Sequence, residues 1–167
     1  KNGNIAKKCT ACGKVASTSS IKYAKSFKLS TTTYSYSGSA KTPTVTVKDS
    51  AGKTLKKDTD YTVTYASGRT LPGKYTVTVK MKGNYSGTKT LTFKINPISA
   101  AKLTIKKGTT AFVYNGKVRA PAITIKNASG KTLVKNTDYT VSGSNKGVAN
   151  HTLTIKFKGN YSGTKTI

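Results

Sequence analysis

Residues 76–90 read Thr76-Val-Thr-Val-Lys-Met-Lys-Gly-Asn-Tyr-Ser-Gly-Thr-Lys-Thr90. In the first seven, Val77, Val79 and Met81 fall on one side, and Thr76, Thr78, Lys80 and Lys82 on the other. A period of two is the signature of a half-buried β-strand. Gly83-Asn-Tyr-Ser-Gly87 then interrupts the pattern with turn-forming residues. Seventy-six residues later the stretch returns. Lys158–Thr166 repeats Lys82–Thr90 without change, and Leu153, Ile155 and Phe157 stand opposite Thr152, Thr154, Lys156 and Lys158. One segment therefore establishes both the class, all-β, and an internal duplication.

Working outward, the repeat extends upstream with a spacing of 78. Tyr36, Gly38, Pro43, Thr46, Lys48 and Gly52-Lys-Thr-Leu55 reappear as Tyr114, Gly116, Pro121, Thr124, Lys126 and Gly130-Lys-Thr-Leu133. Thr59-Asp-Tyr-Thr-Val63 reappears as Thr137-Asp-Tyr-Thr-Val141. The paired stretches 34–65/112–143 and 76–91/152–167 share 15 of 32 and 12 of 16 residues, or 27 of 48 together, which identifies two copies of one module. The change from 78 to 76 places a two-residue deletion in the loop of the second copy that answers to residues 66–74.

Further alternating runs put Val45 and Val47; Tyr61, Val63 and Tyr65; Leu91, Phe93 and Ile95; and Ile123 and Ile125 on inward faces. The organisation expected is residues 1–22 as the C-terminal hairpin of a preceding small module, 23–96 as repeat 1 and 97–167 as repeat 2. The last strand of repeat 2 is cut at Ile167, the counterpart of Leu91. The junction Asn96-Pro-Ile-Ser99 is short and holds a proline, so the modules are expected in line rather than on a loose tether. The chain reads as a fragment of a longer multidomain protein and shows no targeting signal.

Composition narrows the function. Lys and Arg number 30 against 4 Asp+Glu, a formal charge of +26, with one His, two Cys and no Trp. No apolar run is long enough to span a membrane. Carboxylates and imidazoles are too few for most catalytic or metal-binding schemes, so the expectation is no enzyme and no cofactor. Turn signals every 8–12 residues, with one apolar face per strand, fit an immunoglobulin-like sandwich of about seven short strands per module. A grasp-like or other compact β fold is the alternative.

The pattern Tyr-x-Gly, Pro43-Thr-Val-Thr-Val-Lys-Asp49, Gly52-Lys-Thr-Leu55, Asp60-Tyr-Thr-Val-Thr-Tyr65 and Lys82-Gly-Asn-Tyr-Ser-Gly-Thr88 resembles the tandem immunoglobulin-like repeats of large secreted and cell-surface proteins of Gram-positive gut bacteria. Lys8-Cys-Thr-Ala-Cys-Gly-Lys14 resembles the cysteine knuckle that precedes such repeats. The resemblance implies an extracellular location and a role as spacer, adhesive stalk or binding module.

Candidate sites are few. Cys9 and Cys12 sit at the tip of an expected hairpin. They are a candidate disulfide, with free thiols, or a zinc site completed by ligands from elsewhere, as the alternatives. His151 occupies the position of Tyr75, which reads as packing rather than base chemistry. Among the acids only Asp60 and Asp138 correspond, just before Tyr-Thr-Val, and a turn or strand-end hydrogen bond is expected there. The identical loops 82–89 and 158–165 read as turns with a packing Tyr. The Asn-x-Ser/Thr sequons at Asn84, Asn127, Asn150 and Asn160 carry no weight in a bacterial chain. Lys48, Lys80, Lys82, Lys94, Lys126, Lys156 and Lys158 occupy outward strand positions and are candidates for a polyanion-binding stripe. The candidate ligands are wall teichoic acid and other cell-wall polyanions, or mucin glycans. A host surface protein or immunoglobulin docked on a sheet edge is the other class of partner. With two Arg against a large Lys excess, sequence-specific reading of nucleic acid is not expected.

Overall fold

A computed structural model describes residues 4–20, 22–143 and 151–167. The described chain is all-β, with one 3-10 turn at Ala100–Lys102. The strands are β1 (Asn4–Lys8), β2 (Val15–Ser20), β3 (Ala24–Leu29), β4 (Thr33–Ser35), β5 (Val45–Asp49), β6 (Tyr61–Tyr65), β7 (Gly73–Met81), β8 (Thr88–Asn96), β9 (Ile98–Ser99), β10 (Thr104–Lys107), β11 (Ile123–Lys126), β12 (Tyr139–Ser142), β13 (Thr154–Phe157), β14 (Tyr161–Ser162) and β15 (Thr164–Thr166). The chain groups into two compact units. One takes in Lys1–Tyr34, Ala40–Arg69 and Gly73–Lys94; the other takes in Ser35–Ser39, Thr70–Pro72 and Ile95–Ile167.

In the first unit β3 and β5 form an antiparallel pair, with Phe27 opposite Val47 and Leu29 opposite Val45. The second sheet runs in the order β4-β8-β7-β6. Within it Tyr61 faces Met81, Val63 faces Val79 and Tyr65 faces Val77. Alternation selects most of the inward residues: Val45, Val47, Tyr61, Val77, Val79, Met81, Phe93 and Ile95 are buried, while Val63, Tyr65 and Leu91 are half-buried. Two tyrosines tie the sheets together, because the Tyr61 hydroxyl donates to Val45 O (3.0 Å) and the Tyr65 hydroxyl to Pro43 O (2.7 Å). Each tyrosine thus packs its ring between the sheets and satisfies a backbone carbonyl in or just before β5 with its tip. Tyr34 and Tyr75 flank Phe93, with ring centroids at 5.8 and 5.7 Å.

The second unit repeats this register. β10 and β11 place Ile105 opposite Ile125, and β12 and β13 place Tyr139 opposite Phe157 and Val141 opposite Ile155. Its core is Ala100, Leu103, Ile125, Leu133, Tyr139, Ile155, Phe157 and Tyr161. β14 adds a short parallel pairing to β9, Tyr161 with Ile98 and Ser162 with Ser99. Residues 111–118, the counterpart of 33–40, lie outside any strand.

β1 and β2 form the expected N-terminal hairpin, from Asn4 opposite Ser20 to Lys8 opposite Val15. The two-residue deletion and the Asn150 sequon fall at residues 144–150, outside the described residues. Between residues 23 and 96 there are six strands rather than about seven, because the Lys53–Lys57 stretch is held by isolated bridges instead of a full strand.

Candidate functional site

Three hydrogen bonds hold the side chain of Asp49, at the end of β5. Only 2% of it is exposed. Its Oδ1 accepts from the N–H groups of Ala51 and Lys53 (both 2.9 Å), and its Oδ2 accepts from the Tyr85 hydroxyl (3.1 Å). Burial pushes the Asp49 pKa up. The Lys53 and Ala51 N–H groups, the Tyr85 hydroxyl and the charge of Lys22 outweigh it and hold the carboxyl below its ordinary value. The Tyr85 phenol is pushed up, by burial first and then by its bond to the Asp49 carboxylate.

The second unit builds the same lock from Asn127 and Tyr161. Asn127 Oδ1 accepts from the Ser129 and Lys131 N–H groups (3.1 and 3.0 Å) and from the Ser129 hydroxyl (2.8 Å). The Asn127 side chain also bonds Tyr161. An amide nitrogen only donates, so the tyrosine oxygen accepts here where it donates in the first unit. Burial raises the Tyr161 pKa most, and the Asn127 bond opposes that rise. The exchange of Asp49 for Asn127 thus hides a shared role that residue identity alone missed. The available signal was an Asx residue followed three positions later by Gly and four later by Lys in both copies, the form of a side-chain-capped turn.

Asp60 and Asp138 do what their position implies. Asp60 Oδ2 accepts from Lys56 N–H and Asp138 Oδ2 from Val134 N–H, each at 2.8 Å. Among the described residues no group of three or more His, Cys, Asp or Glu is placed to hold a metal ion. His151 is exposed, whereas its counterpart Tyr75 is half-buried against Phe93, so the shared position does not give shared packing.

Cys9 and Cys12 lie together at the tip of the β1–β2 hairpin, both exposed and neither in a disulfide. The tip is closed by Cys9 N–H to Lys14 O and Gly13 N–H to Cys9 O, both 2.9 Å, with Gly13 at φ 68°. The Cys12 N–H, then its thiol, then the Ala11 N–H lower the Cys9 pKa.

All seven candidate lysines are exposed. They do not share one sheet. Lys80 and Lys94 belong to the β4-β8-β7-β6 sheet, with Lys82 just past the end of β7, while Lys48 is on the β3–β5 pair. Lys126 is on the β10–β11 pair opposite Thr104. Lys156 is on β13 between Thr140 and Thr164, and Lys158 follows that strand. In each unit the candidate lysines therefore fall on more than one strand pairing.

The second unit also carries an open hollow of about 310 Å3, bordered by Tyr36, Ser37, Ile98, Asn127, Ser129 and Lys131. Its polar rim is the back of the Asn127 turn. Among the described residues no helix is long and apolar enough to cross a membrane. Comparison of the chain with protein-family models, with curated proteins and with solved structures found no match.

Proposed function

We propose that this chain is a non-catalytic pair of immunoglobulin-like β-sandwich modules that serves as a structural or adhesive stalk in an extracellular protein of a Gram-positive bacterium. One observation carries the reading: the residues that the two repeats keep in common do scaffold work. Leu55 and Leu133 are core, Tyr61 and Tyr139 are core, and Asp60 and Asp138 cap the same turn. Even the exchanged pairs Asp49/Asn127 and Asp58/Asn136 keep one structural job each, the latter with φ of 67° at both positions. A duplicated unit in which the shared core and turn-capping residues serve folding is what a spacer requires.

The second reading, an anchor for anionic polymers such as teichoic acid or mucin glycans, rests on the +26 charge. Lysines spread over several strand pairings suit a salt-sensitive attraction without a shaped site. A host glycoprotein or immunoglobulin would require such a site.

Displaying the chain on a bacterial cell between a wall anchor and a reporter binding domain separates these readings. A stalk presents the reporter as well as an unrelated β module of equal length does, and captures nothing when the reporter is removed. Capture by the chain alone would overturn the stalk reading.

A further inference from the structure

The two cysteines of the sequence take no part in the core. Cys9 and Cys12 lie at the tip of the β1–β2 hairpin, where every residue from Cys9 to Val15 is exposed. The tip is a tight reversal, closed by Cys9 N–H to Lys14 O and Gly13 N–H to Cys9 O, with Gly13 at φ 68°. That path turns three donors onto one sulfur. The Cys12 N–H, the Cys12 thiol and the Ala11 N–H all bond Cys9 Sγ. The second thiol is thus held against the first. The setting is cationic, since Lys7, Lys8 and Lys14 flank the pair in sequence and the first acid of the chain is Asp49.

A sulfur that accepts N–H bonds in cationic surroundings is held as thiolate, the form that attacks disulfides. A neighbouring thiol in contact with it is placed to displace whatever it has bound. We propose that Cys9 and Cys12 form a thiol–disulfide exchange site, with Cys9 as the attacking sulfur, Cys12 as the resolving sulfur, and an accessible disulfide of a small molecule or of another protein as the substrate. Cys9 Sγ attacks one sulfur of that disulfide. The substrate S–S bond breaks, a mixed disulfide forms on Cys9, and the first thiolate leaves. Cys12 Sγ then attacks Cys9 Sγ and expels the second thiolate, and the Cys12 proton passes to a released thiolate. The pair ends oxidised by two electrons as a Cys9–Cys12 disulfide, and the substrate ends reduced to two thiols. The lowered pKa of Cys9, caused first by the Cys12 N–H, then by the Cys12 thiol and the Ala11 N–H, agrees with the attacking role. The site goes beyond the stalk reading and stands whether or not that reading does.

The whole chain, reduced and treated with a chelator, is mixed with oxidised glutathione or with a peptide dimer joined by one disulfide, and is followed by mass and by free-thiol titration. The expected end point is an internal disulfide, with both thiols lost, no adduct retained and two thiols released from each substrate disulfide. Cys12→Ser keeps a hydroxyl donor beside Cys9 but removes the resolving sulfur, so it should stop at the mixed disulfide. In Cys9→Ser the remaining thiol should form its adduct about threefold more slowly than Cys9 does in Cys12→Ser, at about pH 6. Reaction with oxidised glutathione alone assigns small disulfides as the substrate, and reaction with the peptide dimer assigns protein disulfides. The end point is read on the unsubstituted chain, so it stands if a variant misfolds. A reduced chain that keeps both thiols in excess of both substrates, or that gathers adducts on both sulfurs without closing the internal disulfide, would overturn the proposal. So would equal rates for the two single-cysteine variants.

Discussion

The lock formed by Asp49 and Tyr85 makes the smallest-scale predictions. Asp49→Asn should fold normally, since Asn127 already fills the same place with the same backbone donors. Asp49→Ala leaves the turn N–H groups and the Tyr85 hydroxyl without their acceptor and should lower the melting temperature. The pH response distinguishes acid from amide. The folded pKa of Asp49 is depressed, so its stabilisation is present above the ordinary carboxylate range and is lost as pH falls through the lower folded value. Melting curves from pH 7 to 2 should therefore show the parent losing more stability on acidification than Asp49→Asn. Asp58 makes a separate case, because its φ of 67° is left-handed and Asp or Asn tolerates this better than branched residues. Asp58→Asn should be neutral by denaturant titration, and Asp58→Val should cost about 1–2 kcal/mol. At this scale the sequence was legible where a residue repeats unchanged, as with Asp60 and Asp138. It was obscured at Asp49, whose partner Tyr85 lies 36 residues away on another loop.

At the scale of the element, alternation was the reliable guide. Every inward residue of Thr76–Lys82 and of its copy is buried, and every Lys in them is exposed. A period of two fixes the face because a one-residue slip would turn the whole apolar set toward water. Less legible were Leu29, Leu55, Leu103 and Leu133, which are core residues outside the alternating runs selected from sequence. Leu55 and Leu133 sit in bridge-held loops, where no period marks them; their N–H groups bond Val47 O and Ile125 O at 2.9 Å. Truncating the second core should be costly. Ile125→Ala, at a fully buried position facing Ile105, should lose about 2–5 kcal/mol in equilibrium unfolding. Tyr61→Phe keeps the ring and removes the hydrogen bond to Val45 O, and should lose about 1 kcal/mol.

For the whole molecule, duplication and charge are the two facts that bear on function. Both units use one register, one set of turn caps and one Asx-capped turn. The chain carries a formal charge of +26, and its seven candidate lysines are exposed on or beside strands. Attraction to a polyanion through such residues weakens steeply with ionic strength, since the screening length falls from about 8 Å at 0.15 M to about 3 Å at 1 M salt. Replacing Lys80, Lys94 and Lys156 by Gln should flatten the salt dependence of retention on anionic polymer without changing the fold, because all three are exposed. The central claim, a scaffold without a shaped binding site, is tested most directly by co-sedimenting the chain with purified cell wall, mucin and serum immunoglobulin at about 0.15 M and about 0.5 M salt. The account predicts that any retention at the lower salt disappears at the higher for every target. Saturable retention of one target that survives the higher salt would contradict it.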